Sequence, residues 1–279
     1  MRRLALAFAL VVSSAIAAGA PAPAAPKRTW VLISAVGGTL SYVREKFSTG
    51  SNLDPHARFS INVPGYALDA SVFKGLESVV MANDPAAEIV YARLDPRELE
   101  NVPAYRKGEI AIGKLAAALD KLPARKDWHR IVIMTPEFVR PEHEGLGSKL
   151  GGIGIYVKGL ETAFPGEYDL QDRHEKMVTP RGDPTRGQTF IAPYLNARVW
   201  VLDANTMEVL DTSERYDFVK IHDPMATEQD IEKAIPPEEL VPIMEKFVER
   251  SAARTLREAI GVVTVSDPKL VEEKKPPPR

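Results

Sequence analysis

Three short apolar runs alternate with two helical stretches along the first half of the chain. Residues 30–36, 89–94 and 130–135 are rich in β-branched side chains and lack a strict apolar and polar alternation. Such runs are typical of strands that are covered on both faces, as in a parallel sheet. Apolar residues recur at helical spacing over 69–83 and 103–122. This order predicts a three-layer α/β fold with a mixed, mostly parallel central sheet.

Shorter patterns predict additions to this sheet. Residues 40–45 and 58–63 alternate between apolar and polar side chains, which predicts a hairpin insertion after the first strand. Three later runs cover 153–157, 198–202 and 208–219, and turn-forming residues lie between the last two runs. They predict an antiparallel meander at one edge of the sheet, because antiparallel strands need no helical crossover.

The amino terminus has the pattern of a secretory signal peptide over residues 1–20. Arg2 and Arg3 precede an apolar run over 4–12, and small residues follow, with an Ala-x-Ala site that ends at Ala17. A run this short is typical of a cleaved signal rather than a membrane span. We therefore expect bacterial export and a periplasmic or secreted mature protein.

The remaining chain divides into three parts. Residues 21–28 are rich in proline and alanine and predict a stiff linker. Residues 29–265 predict a single α/β domain that closes with a helix ending just before Gly261. Residues 266–279 combine charges with a terminal proline run and predict a disordered tail. No later apolar run reaches spanning length, so we expect a soluble protein without a membrane span after signal removal.

Composition excludes several functional classes. The 279 residues are 44% hydrophobic and 27% charged, and they include no cysteine. Thiol catalysis and thiolate metal sites are therefore excluded. The formal net charge is -2, and removal of Arg2 and Arg3 makes it -4. A nucleic-acid partner is not expected because it normally requires a basic face.

The carboxyl ends of parallel strands are where we expect a ligand, because loops and helix amino ends converge there. The first strand delivers Ser34, and then Gly37, Gly38 and Thr39. The two glycines can present backbone amides, so Ser34, Gly37 and Gly38 are candidate ligand-binding residues. The hydroxyl of Thr39 is a candidate catalytic group, although a tight turn into the hairpin explains the same residues.

Two carboxylates and one histidine are further catalytic candidates. Asp95 and Glu137 follow the second and third strands, and they can act as an acid and base pair if these strands are neighbours. His222 is adjacent to Asp223 and is a candidate general base. Ordinary turn chemistry explains all of these positions equally well.

Arginines and histidines in the connecting segments suggest ligand chemistry. Arg181 and Arg186 lie among glycines and prolines, where two guanidinium groups suit a phosphate or carboxylate ligand. Two acidic clusters with a histidine, 142–144 and 172–175, lack the spacing of a zinc-binding helix. Charged surface loops explain them, and we predict neither a metal nor another cofactor.

Two functional hypotheses follow from these features. The first is a binding or envelope-associated module whose loops, 136–152 and 165–188, grip a small anionic ligand or a protein partner. The second is a hydrolase of unrecognised type that uses Thr39 or Ser34 with the carboxylates and histidine named above. No complete set of nucleophile, base and orienting group is evident in the sequence, which favours the first hypothesis.

Overall fold

A computed structural model describes residues 28–45, 56–138, 150–159, 177–187, 189–224 and 237–261. The predicted signal peptide, all but the last residue of the linker, and the predicted tail lie outside the described residues. The two acidic histidine clusters also lie outside them.

Within these ranges the chain forms eleven strands and three α-helices. The strands are β1 (Thr29–Ser34), β2 (Thr39–Glu45), β3 (His56–Asn62), β4 (Glu88–Arg93), β5 (Trp128–Pro136), β6 (Ile153–Lys158), β7 (Met177–Val178), β8 (Pro184–Thr185), β9 (Phe190–Asp203), β10 (Val209–Phe218) and β11 (Lys220–Ile221). The helices are α1 (Ala67–Asn83), α2 (Lys107–Leu119) and α3 (Pro237–Ala259). The protein is therefore of mixed α/β class, as predicted.

The three apolar runs form adjacent strands in the order β4, β1, β5, and all three are parallel. Their side chains are apolar on both faces because helices cover both sides of β1 and β5. Elsewhere the sheet is mixed. Among the described strands, four pairings are parallel and six are antiparallel. The prediction that the sheet is mostly parallel is wrong in this respect, because β9 pairs antiparallel with each of its neighbours.

The long strand β9 pairs with four other described strands and joins the two parts of the sheet. One edge pairs with β5 over its second half and with β6 over its first half, while the other edge pairs with β10 and β11. Fourteen residues in one strand allow this double pairing, and nearly all of them are buried. The middle strand of the predicted meander, β9, is therefore interior, and β10 pairs with it on the side away from β5 and β6.

The sheet continues beyond the ends of β1 and β5. After a short turn, β1 is followed by β2, which pairs in parallel with β6 and antiparallel with β3. Pro136 of β5 lies opposite Ala197, and Ile153 of β6 lies opposite Leu195, so β5 and β6 follow each other along β9. We expected β1 and β5 to finish at an open rim. Instead, further strands lie beyond them, and β4 has no such continuation among the described strands.

Two apolar cores lie on opposite faces of the central strands. Successive residues of β1 and β5 face opposite sides of the sheet. Leu32 and Val132 pack with α1 and α3, whereas Val31 and Ile133 pack with α2. Helices α1 and α3 cross closely at Gly75. In the described part of the chain, no helix combines the length and hydropathy that a membrane crossing requires.

Candidate functional site

Ser34 is tied to the start of α1 beneath the surface. Its hydroxyl donates a 2.6 Å hydrogen bond to Oδ1 of Asp69, and the two residues are 0% and 3% exposed. Asp69 lies in the first turn of α1, and Tyr66 occupies the capping position. Burial raises the pKa of Asp69, while the Ser34 hydroxyl and the charge of Arg93 lower it in part. A hydroxyl without exposed surface does not reach a substrate, so Ser34 is not placed to act as a nucleophile.

Arg93 lies at the end of β4 and covers an exposed aromatic ring. Its guanidinium carbon is 3.2 Å from the centroid of the Tyr66 ring. Both residues are exposed, and Tyr66 adopts the left-handed conformation with φ 59°. Left-handed backbone is unusual for a residue of this size and indicates a locally constrained loop. The stacked arrangement holds the guanidinium plane in a defined orientation.

The glycine turn after β1 lies at the same edge. Gly37 has φ 85°, and among the described residues beyond its chain neighbours no atom lies within 4 Å of the position that a Cβ would occupy. Gly38 accepts a 2.8 Å hydrogen bond from the backbone N–H of Val63, which anchors the segment before α1. Thr39 is exposed and opens β2 opposite Asn62. The structure therefore brings Ser34, Gly37, Gly38 and Thr39 near Arg93. The ligand-binding role of the first three and the catalytic role of Thr39 stay predictions.

Asp95 acts as a turn cap in this structure. Its carboxylate accepts the backbone N–H of Arg97 at 3.0 Å and the guanidinium of the same residue at 2.6 Å. These hydrogen bonds from Arg97 lower the pKa of Asp95 to about 2. The proposed pairing with Glu137 required neighbouring strands, but β1 lies between β4 and β5. Two strand spacings separate the two strands, about 10 Å, so the expected carboxylate pair is not formed.

Glu137 instead belongs to a charged cluster with Arg198 and Glu214. Nε of Arg198 lies 3.4 Å from Oε2 of Glu137, and its Nη2 lies 2.5 Å from Oε2 of Glu214. Burial raises the pKa of Glu137 and the nearby Glu214 raises it further, whereas Arg198 lowers it. Nearby, the indole N–H of Trp200 donates a 3.1 Å hydrogen bond to Thr135 Oγ1. Two carboxylates therefore share one guanidinium at this place.

His222 lies in a third region, around the short strands β7, β8 and β11. Its Nδ1 is 2.8 Å from the carbonyl oxygen of Thr189, and the ring packs so closely on Gly187 that a Cβ there would come within 2.4 Å. Arg181 and Arg186 are exposed on the neighbouring β7–β8 hairpin. β11 pairs with β9 at Ile191, several residues along β9 from Asn196, whose carbonyl oxygen accepts the N–H of Glu137. The three residues are therefore grouped with one another and not with the strand-end candidates.

Sequence reasoning missed the residues that complete these clusters. Tyr66, Asp69 and Arg93 complete the first cluster, and Arg198 and Glu214 complete the second. The only local signal was the Pro-Gly pair before Tyr66, which indicates a turn at a helix start. Within the described ranges, no group of three or more histidines and carboxylates is arranged to hold a metal ion.

Comparison with known proteins leaves the family open. No family model matches the chain, and no curated protein matches it. A similar solved structure is that of protein XCC0632 from Xanthomonas campestris, described by family model DUF330. The TM-score is 0.29 at 10% sequence identity, over 85% of this chain and 86% of that chain. A similarity at this level carries no inference about the activity of this protein.

Proposed function

We propose that the protein is a binding module that takes a small anionic ligand where β1 and β4 end. We call this place the β1–β4 rim and define it by Gly37, Gly38, Tyr66 and Arg93, with Ser34 buried beneath it. The observation that carries the proposal is the exposed guanidinium of Arg93, stacked 3.2 Å above the Tyr66 ring. A guanidinium oriented in this way presents its N–H groups to a carboxylate or phosphate at little cost in side-chain entropy.

Among the described residues of the rim, Arg93 is an exposed cationic group that is available to a ligand. Asp95 is engaged by Arg97, which is itself 84% exposed in its side chain. Asp69 is the other carboxyl near Arg93, but it is buried and bonded to Ser34. Because burial raises its pKa, protonation of Asp69 neutralises the competing carboxyl and should strengthen anion binding.

The backbone at the rim supports the same ligand class. Open space surrounds the Cβ position of Gly37, and the nearest atoms to that of Gly38 are 4.0 Å away. A ligand can therefore approach the main chain closely, as anions do at glycine-rich turns. Arg181 and Arg186 belong to a different region, and a second anion contact there is a separate part of the prediction.

The alternative of a hydrolase has less support. Ser34 is fully buried, Asp95 caps its own turn, Glu137 is paired with Arg198, and His222 contacts a backbone oxygen. A nucleophile requires a base within hydrogen-bond distance and access to substrate. Ser34 has a carboxylate, Asp69, within hydrogen-bond distance, but both groups are buried and lack that access.

The proposal is tested by calorimetric titration of the full chain with sulfate, which keeps its charge between pH 4 and 8. Wild type should bind, and R93Q should weaken binding by about tenfold or more, since a charge-assisted contact contributes roughly 1.5–3 kcal/mol. R106Q is the matched control because Arg106 is an exposed arginine whose partner is Glu109. Binding should strengthen toward low pH in wild type and should be independent of pH in D69N.

Equal affinity of wild type and R93Q would refute the site. Equal weakening in R93Q and R106Q would mean that sulfate senses only the overall charge. Succinate is titrated in the same way as a dicarboxylate probe. If neither sulfate nor succinate binds, the binding hypothesis is reduced to a protein partner that contacts the exposed Tyr66.

Export and layering are parts of the same proposal. Residues 1–20 support a signal peptide. Cleavage after Ala17, which we favour, would start the exported protein at Ala18, whereas cleavage after Ala20 would start it at Pro21, and amino-terminal sequencing of periplasmic material distinguishes the two. The separate cores on the α1 and α2 faces support the three-layer description with a hairpin inserted after β1.

A further inference from the structure

Three strands meet at Asn196, where β5 ends and β6 begins. The N–H of Glu137 donates to the carbonyl oxygen of Asn196 at 2.9 Å, and the N–H of Asn196 donates to that of Gly152 at 2.7 Å. The N–H of Gly152 closes the triangle by donating to the oxygen of Glu137 at 2.9 Å. These three backbone hydrogen bonds hold the strand junction together. They therefore fix the backbone positions from which the side chains of Glu137 and Asn196 project.

The side chain of Asn196 is unusual because it is buried and unpaired. It is 1% exposed, and in the described part of the chain neither Oδ1 nor Nδ2 has a hydrogen-bond partner. An amide group offers two donors and one acceptor, and leaving them unpaired in an interior costs stability. An uncompensated polar group of this kind calls for an explanation. A ligand that donates a hydrogen bond to Oδ1 would remove part of this cost.

The charged cluster of Glu137, Arg198 and Glu214 adjoins this amide. Asn196 and Arg198 are alternate residues of β9, so their side chains leave the same face of the sheet. Side-chain exposure is 35% for Glu214, 32% for Arg198 and 19% for Glu137. Exposure therefore decreases from Glu214 through Arg198 and Glu137 to Asn196, which is 1% exposed.

The balance of charge indicates what such a site accepts. Two carboxylates face one guanidinium, which leaves an excess of one negative charge. Arg198 already has both carboxylates as partners, so an incoming anion would have to displace one of them. A cationic donor can instead share the carboxylates and donate to Oδ1 of Asn196.

We propose that the junction site, formed by Glu137, Asn196, Arg198 and Glu214, binds a small organic cation through a primary ammonium group. The ammonium contacts the carboxylates of Glu137 and Glu214, and Asn196 accepts a hydrogen bond at the inner end. This site differs from the β1–β4 rim in its residues and in the charge of its ligand, so either proposal can fail without the other.

The test is titration of the full chain with 1,4-diaminobutane. Wild type should bind the diamine, and the side-chain amide resonances of Asn196 should shift in NMR spectra. E137Q and E214Q should each weaken binding by about tenfold or more. E98Q is the matched control, because Glu98 forms an exposed ion pair with Lys114.

The variant N196L separates ligand binding from a structural role. Leucine has the same number and branching of side-chain heavy atoms as asparagine and no polar atoms, so N196L should remove the unpaired polar group, remain folded in a thermal scan and lose diamine binding. Sulfate binding at Arg93 should be unchanged in E137Q and N196L. If E137Q does not fold, E214Q carries the test because its side chain is more exposed.

Three results would overturn the inference. The first is a failure of 1,4-diaminobutane to bind, in which case the unpaired amide is only a local cost to stability. The second is equal weakening in E98Q, which would indicate a general charge effect. The third is wild-type affinity in N196L.

Discussion

The hydroxyl of Ser34 and the carboxyl of Asp69 form a buried 2.6 Å hydrogen bond that joins the end of β1 to the first turn of α1. Thirty-five positions separate the two residues along the chain. The bond holds the amino end of α1 against the sheet, and the loop that presents Tyr66 lies directly before it. Ser34 thus supports the rim from below rather than contacting a ligand at its surface.

The first prediction concerns the pH dependence of stability at Asp69. Burial raises its pKa in the folded state above the ordinary 3.8. Its contribution is therefore fully present below pH 3.8 and is lost as pH rises through the folded pKa. D69N keeps an acceptor for Ser34 and removes the charge, so its stability relative to wild type should increase with pH. Urea unfolding between pH 4 and 8 measures this, and a constant difference would contradict the prediction.

A second variant checks the assigned cause. The Ser34 hydroxyl lowers the pKa of Asp69 because it donates to the charged form. S34A should therefore move the pH-dependent loss of stability to higher pH. A shift in the opposite direction would show that Ser34 does not stabilise the carboxylate.

The second prediction concerns the crossing of α1 and α3. A Cβ at Gly75 would lie 2.2 Å from the backbone oxygen of Glu249 and 2.9 Å from Cβ of Ala252. G75A must separate two helices and should destabilise the protein by about 1–3 kcal/mol. Gly113 in α2 has no atom within 4 Å of its Cβ position, so G113A should stabilise by about 0.5–1 kcal/mol. Chemical denaturation of both variants tests the contrast in sign.

The third prediction concerns the ion pairs that join β10 to α3. Asp217 lies 2.9 Å from Nε of Arg215 and 3.6 Å from Nη1 of Arg254, and its side chain is 10% exposed. Arg215 also pairs with Glu258 of α3. D217A leaves a half-buried guanidinium with fewer partners and should cost about 1–3 kcal/mol.

The matched control for this pair is E98Q. Glu98 and Lys114 form an exposed pair, for which a loss within about 0.5 kcal/mol is expected. Similar thermal midpoints for D217A and E98Q would show that the Asp217 network contributes little.

The fourth prediction concerns Asp203, whose contribution to stability should change with pH in the direction opposite to that of Asp69. Asp203 accepts the backbone N–H groups of Thr206 and Asn205 in the β9–β10 turn, and these bonds lower its pKa, with a smaller effect from Arg130. Its stabilising contribution is present above the ordinary 3.8 and is lost as pH falls through the folded pKa. The stability difference between wild type and D203N should therefore shrink on acidification. A difference that grows toward low pH would contradict this.

The chain's local patterns determined its elements. Apolar spacing placed β1, β4 and β5 and the helices within a few residues, and Gly261, with φ 70°, follows the end of α3 as expected. These features depend on side chains a few positions apart, which the sequence displays directly. Strand ends also placed Ser34, Asp95 and Glu137 among the candidates.

Tertiary structure alone decided the partners of those candidates. The pairing of Glu137 with Arg198, the insertion of β1 between β4 and β5, and the burial of Ser34 on Asp69 all join distant segments. No local periodicity encodes which strands become neighbours, because strand order follows from how whole faces are covered. The candidate sites are therefore products of packing, whereas the elements that carry them are properties of the sequence.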